Sequence, residues 1–516
     1  MAESPDGRST PPPVAEVPTL AMDALGERSD PRAAHVRLFG SQAFFRLWLT
    51  QVVSATGDWL GFLAIAALAT RISDRPEAAV GLVMSARIIP GFFLGPAAGV
   101  FADRFDRKRL MVMCDVGRAL VLASLPFVDT VPGLIVASLV LEVFTLLWAP
   151  AKEASVPHLV PADHLTTANS LSLAAAYGTI PLAAGLFSLL AELSEAIGDF
   201  ELLTVVRGTQ EGLAFYFDAG TFLLSALMIS SLPLPSRRRE DRARGRRRVE
   251  FGSAWRELRE GWQFVFLNPV VRAVNLGLAT GLIGGGMLVP LGPVFADQVL
   301  GAGQSGFGVL IFALGLGVAA GVIGVSVFQK KVPKEWTFVV AVFVAGISLG
   351  TAASMSAIEL ACAFVFVLGT CAGCVYVLGF TMLHEHVEDD LRGRIFSALY
   401  TLVRLCVLIA FAVGPFLSEL FSGLSNRIFN DGHVAVFGVA IAVPGVRLTL
   451  WTSSAIIVIA GFIAAHSMRD AARKDLVAAM PGAGRNGDKA ETAADDHAAP
   501  DHAGDNDRGD DDRGDG

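Results

Sequence analysis

Long apolar runs alternate with short polar breaks through most of this chain. Each run is long enough to cross a hydrocarbon core as a helix of about 20 residues. Read in order, they predict twelve spans near 45–70, 79–102, 110–128, 132–151, 168–190, 212–232, 270–294, 307–328, 336–355, 359–383, 395–420 and 446–466. Six fall before the segment 233–268 and six after it. That segment carries eight arginines from Arg237 to Arg248, then Trp255, Leu258, Trp262 and Val265 at helical spacing among charged residues. Such spacing predicts an amphipathic helix on the membrane surface.

The expected organisation is a disordered tail over 1–40, a six-helix half over 41–232, the arginine-rich loop and surface helix over 233–268, a second half over 269–468, and a disordered acidic tail over 469–516. The fold class is all-α, a polytopic membrane protein of twelve transmembrane helices in two six-helix halves. Val36 to Trp48 is expected to form a short interfacial helix, and 426–445 a polar lead-in with a short strand or turn. Residues 1–40 lack the apolar core of a signal peptide, so the first span is expected to direct insertion.

Composition agrees with this picture and removes two others. The chain is 53% hydrophobic and 17% charged, whereas a soluble domain carries about 25% charged residues. Its net charge of −8 comes mostly from the end of the chain, where eleven acidic and four basic residues follow Pro481. An acidic overall balance with clustered arginines therefore points to no nucleic-acid partner. The five cysteines, Cys114, Cys362, Cys371, Cys374 and Cys406, all lie in apolar runs. Cys371 and Cys374 have C-x-x-C spacing without a second pair, so they read as small packing residues rather than a metal or redox centre. No cofactor, metal or enzymatic activity is expected.

The basic loops fix the predicted orientation. They follow spans 2 (Arg104, Arg107, Lys108, Arg109), 6, 8 (Lys330, Lys331, Lys334), 10 (Arg392, Arg394) and 12 (Arg469, Arg473, Lys474), while the loops after odd-numbered spans are short, weakly charged or acidic. The positive-inside rule then places both termini in the cytoplasm.

Ionisable residues inside a membrane are costly, and each is a functional candidate. Asp58 and Glu142 lie near the middle of spans 1 and 4 and are candidates for proton coupling or gating. Arg87 and Arg404, in spans 2 and 11, are candidate charge partners for a carboxylate or an anionic substrate; an Asp58–Arg87 pair is the structural alternative. Asp115 and Arg118, three apart on span 3, are expected to pair locally. Asp218 in span 6 ranks below these.

Between spans 2 and 3 the chain reads Gly99-Val-Phe-Ala-Asp103-Arg104-Phe-Asp-Arg107-Lys108. This resembles the loop motif of the major facilitator superfamily, with Asp106 in place of its second glycine. The resemblance implies a cytoplasmic gate latch made of Gly99, Asp103, Arg104, Arg107 and Lys108. In it Asp103 would sit at the N-terminus of span 11, and the arginines would meet acidic residues. The loop after span 8 has lost Asp-Arg and is a degenerate second copy. In span 5, Gly178, Pro181 and Gly185 resemble the helix-bending motif of drug exporters in that family, with Ile180 replacing a glycine. The segments Pro150–Pro161 and Leu391–Ser397 resemble the branch holding macrolide, multidrug and enterobactin exporters. They also resemble the transporter half of actinobacterial kinase fusions, although no nucleotide-binding loop is present here.

The resemblance implies a secondary transporter of a bacterial plasma membrane that exchanges protons for an amphipathic or lipophilic small molecule by alternating access. Phe62, Phe93 and Trp148 are expected around its cavity, and anionic lipid at Arg237–Arg248. An importer, or a scaffold that has kept the fold without transport, is the competing reading.

Overall fold

The structure, a computed structural model, describes residues 38–102, 105–161, 164–196, 210–233, 269–328, 333–386, 389–428, 433–436, 439–442 and 444–479. All but the last three residues of the expected tail over 1–40, the arginine-rich loop with its surface helix, and the acidic end from 480 lie outside these residues.

Among the described residues, twelve stretches of helix are long and apolar enough to span a membrane. Helix is the form that lets an isolated segment satisfy every backbone group where no water is available. Ten spans correspond to single helices: α1 Gln42–Arg71, α2 Pro76–Ala102, α3 Arg107–Ser124, α4 Val131–Glu153, α7 Gln210–Ser230, α10 Gly303–Phe328, α11 Lys334–Ser354, α12 Ile358–His386, α13 Asp389–Ile428 and α14 Gly445–Ala479. The fifth span is broken into α5 Leu165–Gly178 and α6 Ile180–Ala196, and the seventh into α8 Pro269–Gly286 and α9 Leu288–Gln298.

Both breaks have a proline cause. Pro181 has no N–H to return to the preceding turn, so the helix stops at Gly178 and restarts at Ile180. The seventh span stops at three consecutive glycines and restarts ahead of Pro290 and Pro293. The sequence reading gave that span as continuous.

One boundary, that of the last helix, differs from expectation. Leu38 and Phe39 are helical and are set off from the first span by a bend at Gly40 and Ser41, while 36 and 37 of the expected interfacial segment lie outside the described residues; α1 begins at Gln42, capped by Ser41, whose Oγ accepts from Phe44 N at 3.0 Å. The last helix runs on through Ala479, where a disordered tail from 469 was expected. Its extension, Arg-Asp-Ala-Ala-Arg-Lys-Asp-Leu-Val-Ala-Ala, is rich in helix formers. Between α13 and α14 lies an antiparallel hairpin, β1 His433–Val436 and β2 Val439–Ala442, with Val436 opposite Val439.

The two halves share one packing plan. In the first, α1 packs on α7, α2 on α4, and α3 on both α4 and α7; in the second, α8 packs on α14, α10 on α12, and α11 on both α12 and α14. Small residues set the distances. On α10 and α12, a Cβ at Gly317 would lie 2.1 Å from Phe366 O, and one at Gly373 2.4 Å from Val318 O. Only glycine permits that backbone approach.

Arg447 secures the second half. It is buried on α14 and donates from Nε to Ala353 O at 2.9 Å and from Nη2 to Met355 O at 2.9 Å, closing the C-terminal end of α11. Arg447→Leu is expected to cost about 2–3 kcal/mol, the scale of charge-assisted bonds lost from a buried site. A lower melting temperature of the detergent-purified protein is the readout.

The halves meet through α6 against α10 and α2 against α13. The Pro181 ring packs on Gly315, where a Cβ would lie 2.7 Å from Pro181 Cγ. Gly81 packs similarly on Pro415, at 2.8 Å from its Cβ. Ser188 Oγ donates to Ser305 O at 2.9 Å, and Phe187 meets Phe307 edge-on with centroids 6.2 Å apart. Arg75 pairs with Glu419 at 3.2 Å. These contacts lie toward the face that carries the loops after odd-numbered spans, so the bundle is closed there.

Candidate functional site

Near mid-span, four helices of the first half converge on one arginine. Arg118 on α3 is 1% exposed. Its Nη1 donates to Asp58 Oδ2 on α1 at 3.3 Å, and its Nη2 donates to Asp115 Oδ1 one turn back on α3. The other oxygen of Asp115 accepts from Ser225 Oγ on α7 at 2.6 Å. The guanidinium carbon lies 4.1 Å from the ring centre of Phe222 and 5.3 Å from that of Trp148. Arg118 thus joins α1, α3, α4 and α7 through two carboxylates and two aromatic faces.

The two carboxylates are not equivalent. Asp115 is fully buried, while the Asp58 side chain is 33% exposed. One cation shared by two anions leaves a net negative charge in a low-dielectric region, and only Asp58 has access to solvent. Asp58 is therefore the less enclosed member of the pair.

Asp218 on α7 stands beside this cluster. It is buried against α1, where a Cβ at Gly57 would lie 2.2 Å from its Oδ1 and one at Gly61 2.3 Å from its Oδ2. The two glycines form a notch that holds the carboxylate next to Asp58. Sequence reasoning ranked Asp218 low because it placed the sixth span away from the cavity. The signal that would have raised it is Gly57-x-x-x-Gly61 flanking Asp58, one helical turn apart.

Glu142 on α4 is half-buried and lies within electrostatic reach of Arg87, Asp58, Arg404 and Arg118. The alternative Asp58–Arg87 pair does not form. Arg87 instead lies over Phe62, its Cζ 5.7 Å from the ring centre. Helix rotation decides this, because α3 presents Arg118 to α1 while Arg87 turns toward Phe62. Trp148 was expected at the cavity but is buried under Arg118; Phe93 is 77% exposed.

The loop after the second span is partly described. Gly99 falls in α2; Asp103 and Arg104 lie outside the described residues. Arg107 Nη1 donates to Ala154 O at 2.7 Å, and Lys108 Nζ donates to Leu232 O at 3.0 Å. Both cations therefore cap helix ends, those of α4 and α7, and Arg107 meets a carbonyl rather than the acidic side chain expected. Asp106, the departure from the motif, caps α3 by accepting from Arg109 N at 3.0 Å. In the fifth span, Gly178 faces open space, Pro181 meets Gly315, and a Cβ at Gly185 would lie 3.3 Å from the Phe312 ring.

A polar node at the closed face was not foreseen. Glu211 at the start of α7 accepts from Arg71 Nε at 3.1 Å and from Gln304 Nε2 of the other half at 2.5 Å.

Comparison with known proteins agrees with the bundle. The family model for the Major Facilitator Superfamily matches residues 47–411. The MFS-type transporter YfiS of Bacillus subtilis (strain 168), uncharacterised, is 26% identical over 398 residues, covering 74% of this chain and 88% of its own length. The multidrug efflux pump Tap of Mycobacterium bovis (strain BCG / Pasteur 1173P2) is 24% identical over 382 residues, covering 72% and 84%. Among solved structures, a bacterial homologue of the human lysosomal transporter Spinster, inward-facing and occupied, superposes with a TM-score of 0.63 at 15% identity, covering 85% and 97%. With its paired six-helix halves and its charged centre, the chain belongs to the major facilitator superfamily, a family of membrane transporters rather than enzymes.

Proposed function

We infer that this transporter exports an amphipathic or lipophilic small molecule by alternating access, driven by proton entry at Asp58. The observation that carries the reading is the shared guanidinium of Arg118, held between solvent-accessible Asp58 and buried Asp115. A proton on Asp58 removes one of the two anions that hold Arg118. The guanidinium then relaxes onto Asp115, and α1 loses its charged tie to α3. Because α1 also carries Phe62, which meets Phe411 of the second half with centroids 6.1 Å apart, the change reaches the contact between the halves. Export as the direction draws on similarity to the efflux pump Tap.

In this reading the closed face is extracellular, both termini are cytoplasmic, and the stretch from Gly99 to Lys108 latches the opposite face in the other state. The arginine-rich loop over 237–248 serves orientation and contact with anionic lipid.

Proteoliposome flux under an imposed pH gradient tests the coupling. Asp58→Asn is expected to abolish gradient-driven efflux while the purified protein keeps its melting temperature. Unchanged flux in that variant removes Asp58 from the mechanism.

A further inference from the structure

Two guanidinium groups in the spans have no use in the cluster around Arg118. Arg87 is on α2 in the first half and Arg404 on α13 in the second. Among the described residues neither takes part in a hydrogen bond or an ion pair, and Arg87 lies over the face of Phe62. An unpaired cation in a membrane-spanning segment is costly and calls for a counter-charge.

Their placement on either side of the seam between the halves follows from neighbouring contacts. Gly91, one turn beyond Arg87 on α2, faces Leu146, whose Cδ2 would lie 4.0 Å from a Cβ there, and Leu146 is one turn beyond Glu142 on α4. The parallel helices α2 and α4 therefore bring Arg87 and Glu142 to the same level. Arg404 lies two helical turns before Phe411, on the same face of α13 and about 10 Å nearer the open side. Since Phe411 meets Phe62 of the first half, that face of α13 looks toward the first half. Arg404 is exposed there, and Glu142 is within electrostatic reach of both arginines. At this level two guanidinium groups, one from each half, face a single carboxylate, with Asp58 already held by Arg118, and the pair is edged by Phe62 and Phe411.

We propose that Arg87 and Arg404 form the substrate site for an amphipathic organic anion bearing a carboxylate, each half contributing one guanidinium. The planar fork of arginine matches a carboxylate, and the two aromatic rings take the apolar body. A single anion held from both halves also draws them together on the open side, which is the movement that alternating access needs. This deepens the transport reading by naming the substrate class, and it rests on that reading's central cavity.

Equilibrium dialysis against the full-length protein in nanodiscs tests it, with empty nanodiscs to subtract partitioning. The probes are naphthylacetate, naphthylacetamide and naphthylmethyl-trimethylammonium, which share a ring and differ in charge. The anion is expected to bind roughly tenfold or more tightly than the other two, and Arg87→Gln and Arg404→Gln are each expected to lose that margin, the scale of one charge-assisted contact. Arg87→Lys and Arg404→Lys keep the charge without the fork and are expected to fall between. Equal binding of the three probes, a preference for the cation, or an undiminished anion preference in both Gln variants overturns the proposal. If a Gln variant does not fold, its Lys partner decides: full wild-type affinity there also overturns it. No pH gradient is present, so failure here leaves coupling at Asp58 untouched, and failure of coupling leaves the anion preference standing.

Discussion

Arg118→Leu is expected to abolish transport and to destabilise the first half by about 3–5 kcal/mol, the range for removing one partner of a buried ion pair. Arg118 is the only cation bonded to Asp115 among the described residues, and Asp115 is fully buried. Without it, that carboxylate keeps only the hydroxyl of Ser225, and Phe222 and Trp148 lose the planar group that fills the space between them. A second substitution separates stability from function. Adding Asp115→Asn to Arg118→Leu removes the stranded charge and is expected to recover much of the melting temperature but no flux, because Asp58 still lacks its partner. Arg118→Lys is expected to fold with reduced flux, since one ammonium cannot fork to both carboxylates. Melting curves in detergent and proteoliposome flux measure the two effects. If the double variant transports, Arg118 is a structural brace and the coupling role falls away.

The spans were readable from the sequence because twenty apolar residues in a row have few other fates, and the loop charges gave a second, independent check. Asp58 and Glu142 stood out by the same logic, as carboxylates where carboxylates are costly. Their partners did not. Whether Asp58 meets Arg87 or Arg118 depends on how α1, α2 and α3 are rotated about their axes. Contacts far apart in sequence set those rotations, such as Asp218 against Gly57 and Gly61 or Phe144 against Gly117. Hydropathy carries no rotational information for a helix that is apolar on all sides. The break in the seventh span was missed for a related reason: its glycines and prolines are themselves apolar enough to read as continuous. Arg107 was assigned an acidic partner because charge suggests charge, but a helix C-terminus offers carbonyl acceptors that no side-chain pattern reveals.

Gly308→Val is expected to hold the transporter open on the face that is closed in this structure and to reduce transport at least tenfold. Gly308 on α10 lies directly against α6. A Cβ there would stand 2.9 Å from Ala184 O and 2.9 Å from both the N and the Cβ of Ser188. Main-chain atoms and a Cβ cannot rotate away, so three added carbons must separate the helices. Overpacking of this kind costs about 1–3 kcal/mol, and it is charged only to the state in which α6 and α10 touch. The ratio of the two states then shifts by roughly tenfold to a hundredfold toward the separated one. Gly308→Ala adds one carbon and is expected to shift it less. The opening can be read as a distance between spin labels on Asp74→Cys and Gly423→Cys, exposed positions at the ends of α1 and α13 on either side of the closed face. The label distance should lengthen in Gly308→Val. The Gln304 bond to Glu211 and the Arg75 bond to Glu419 should break together with it, because both cross the same seam. An unchanged distance with normal flux means that α6 and α10 part by another route, and that the glycine contact between them is packing alone.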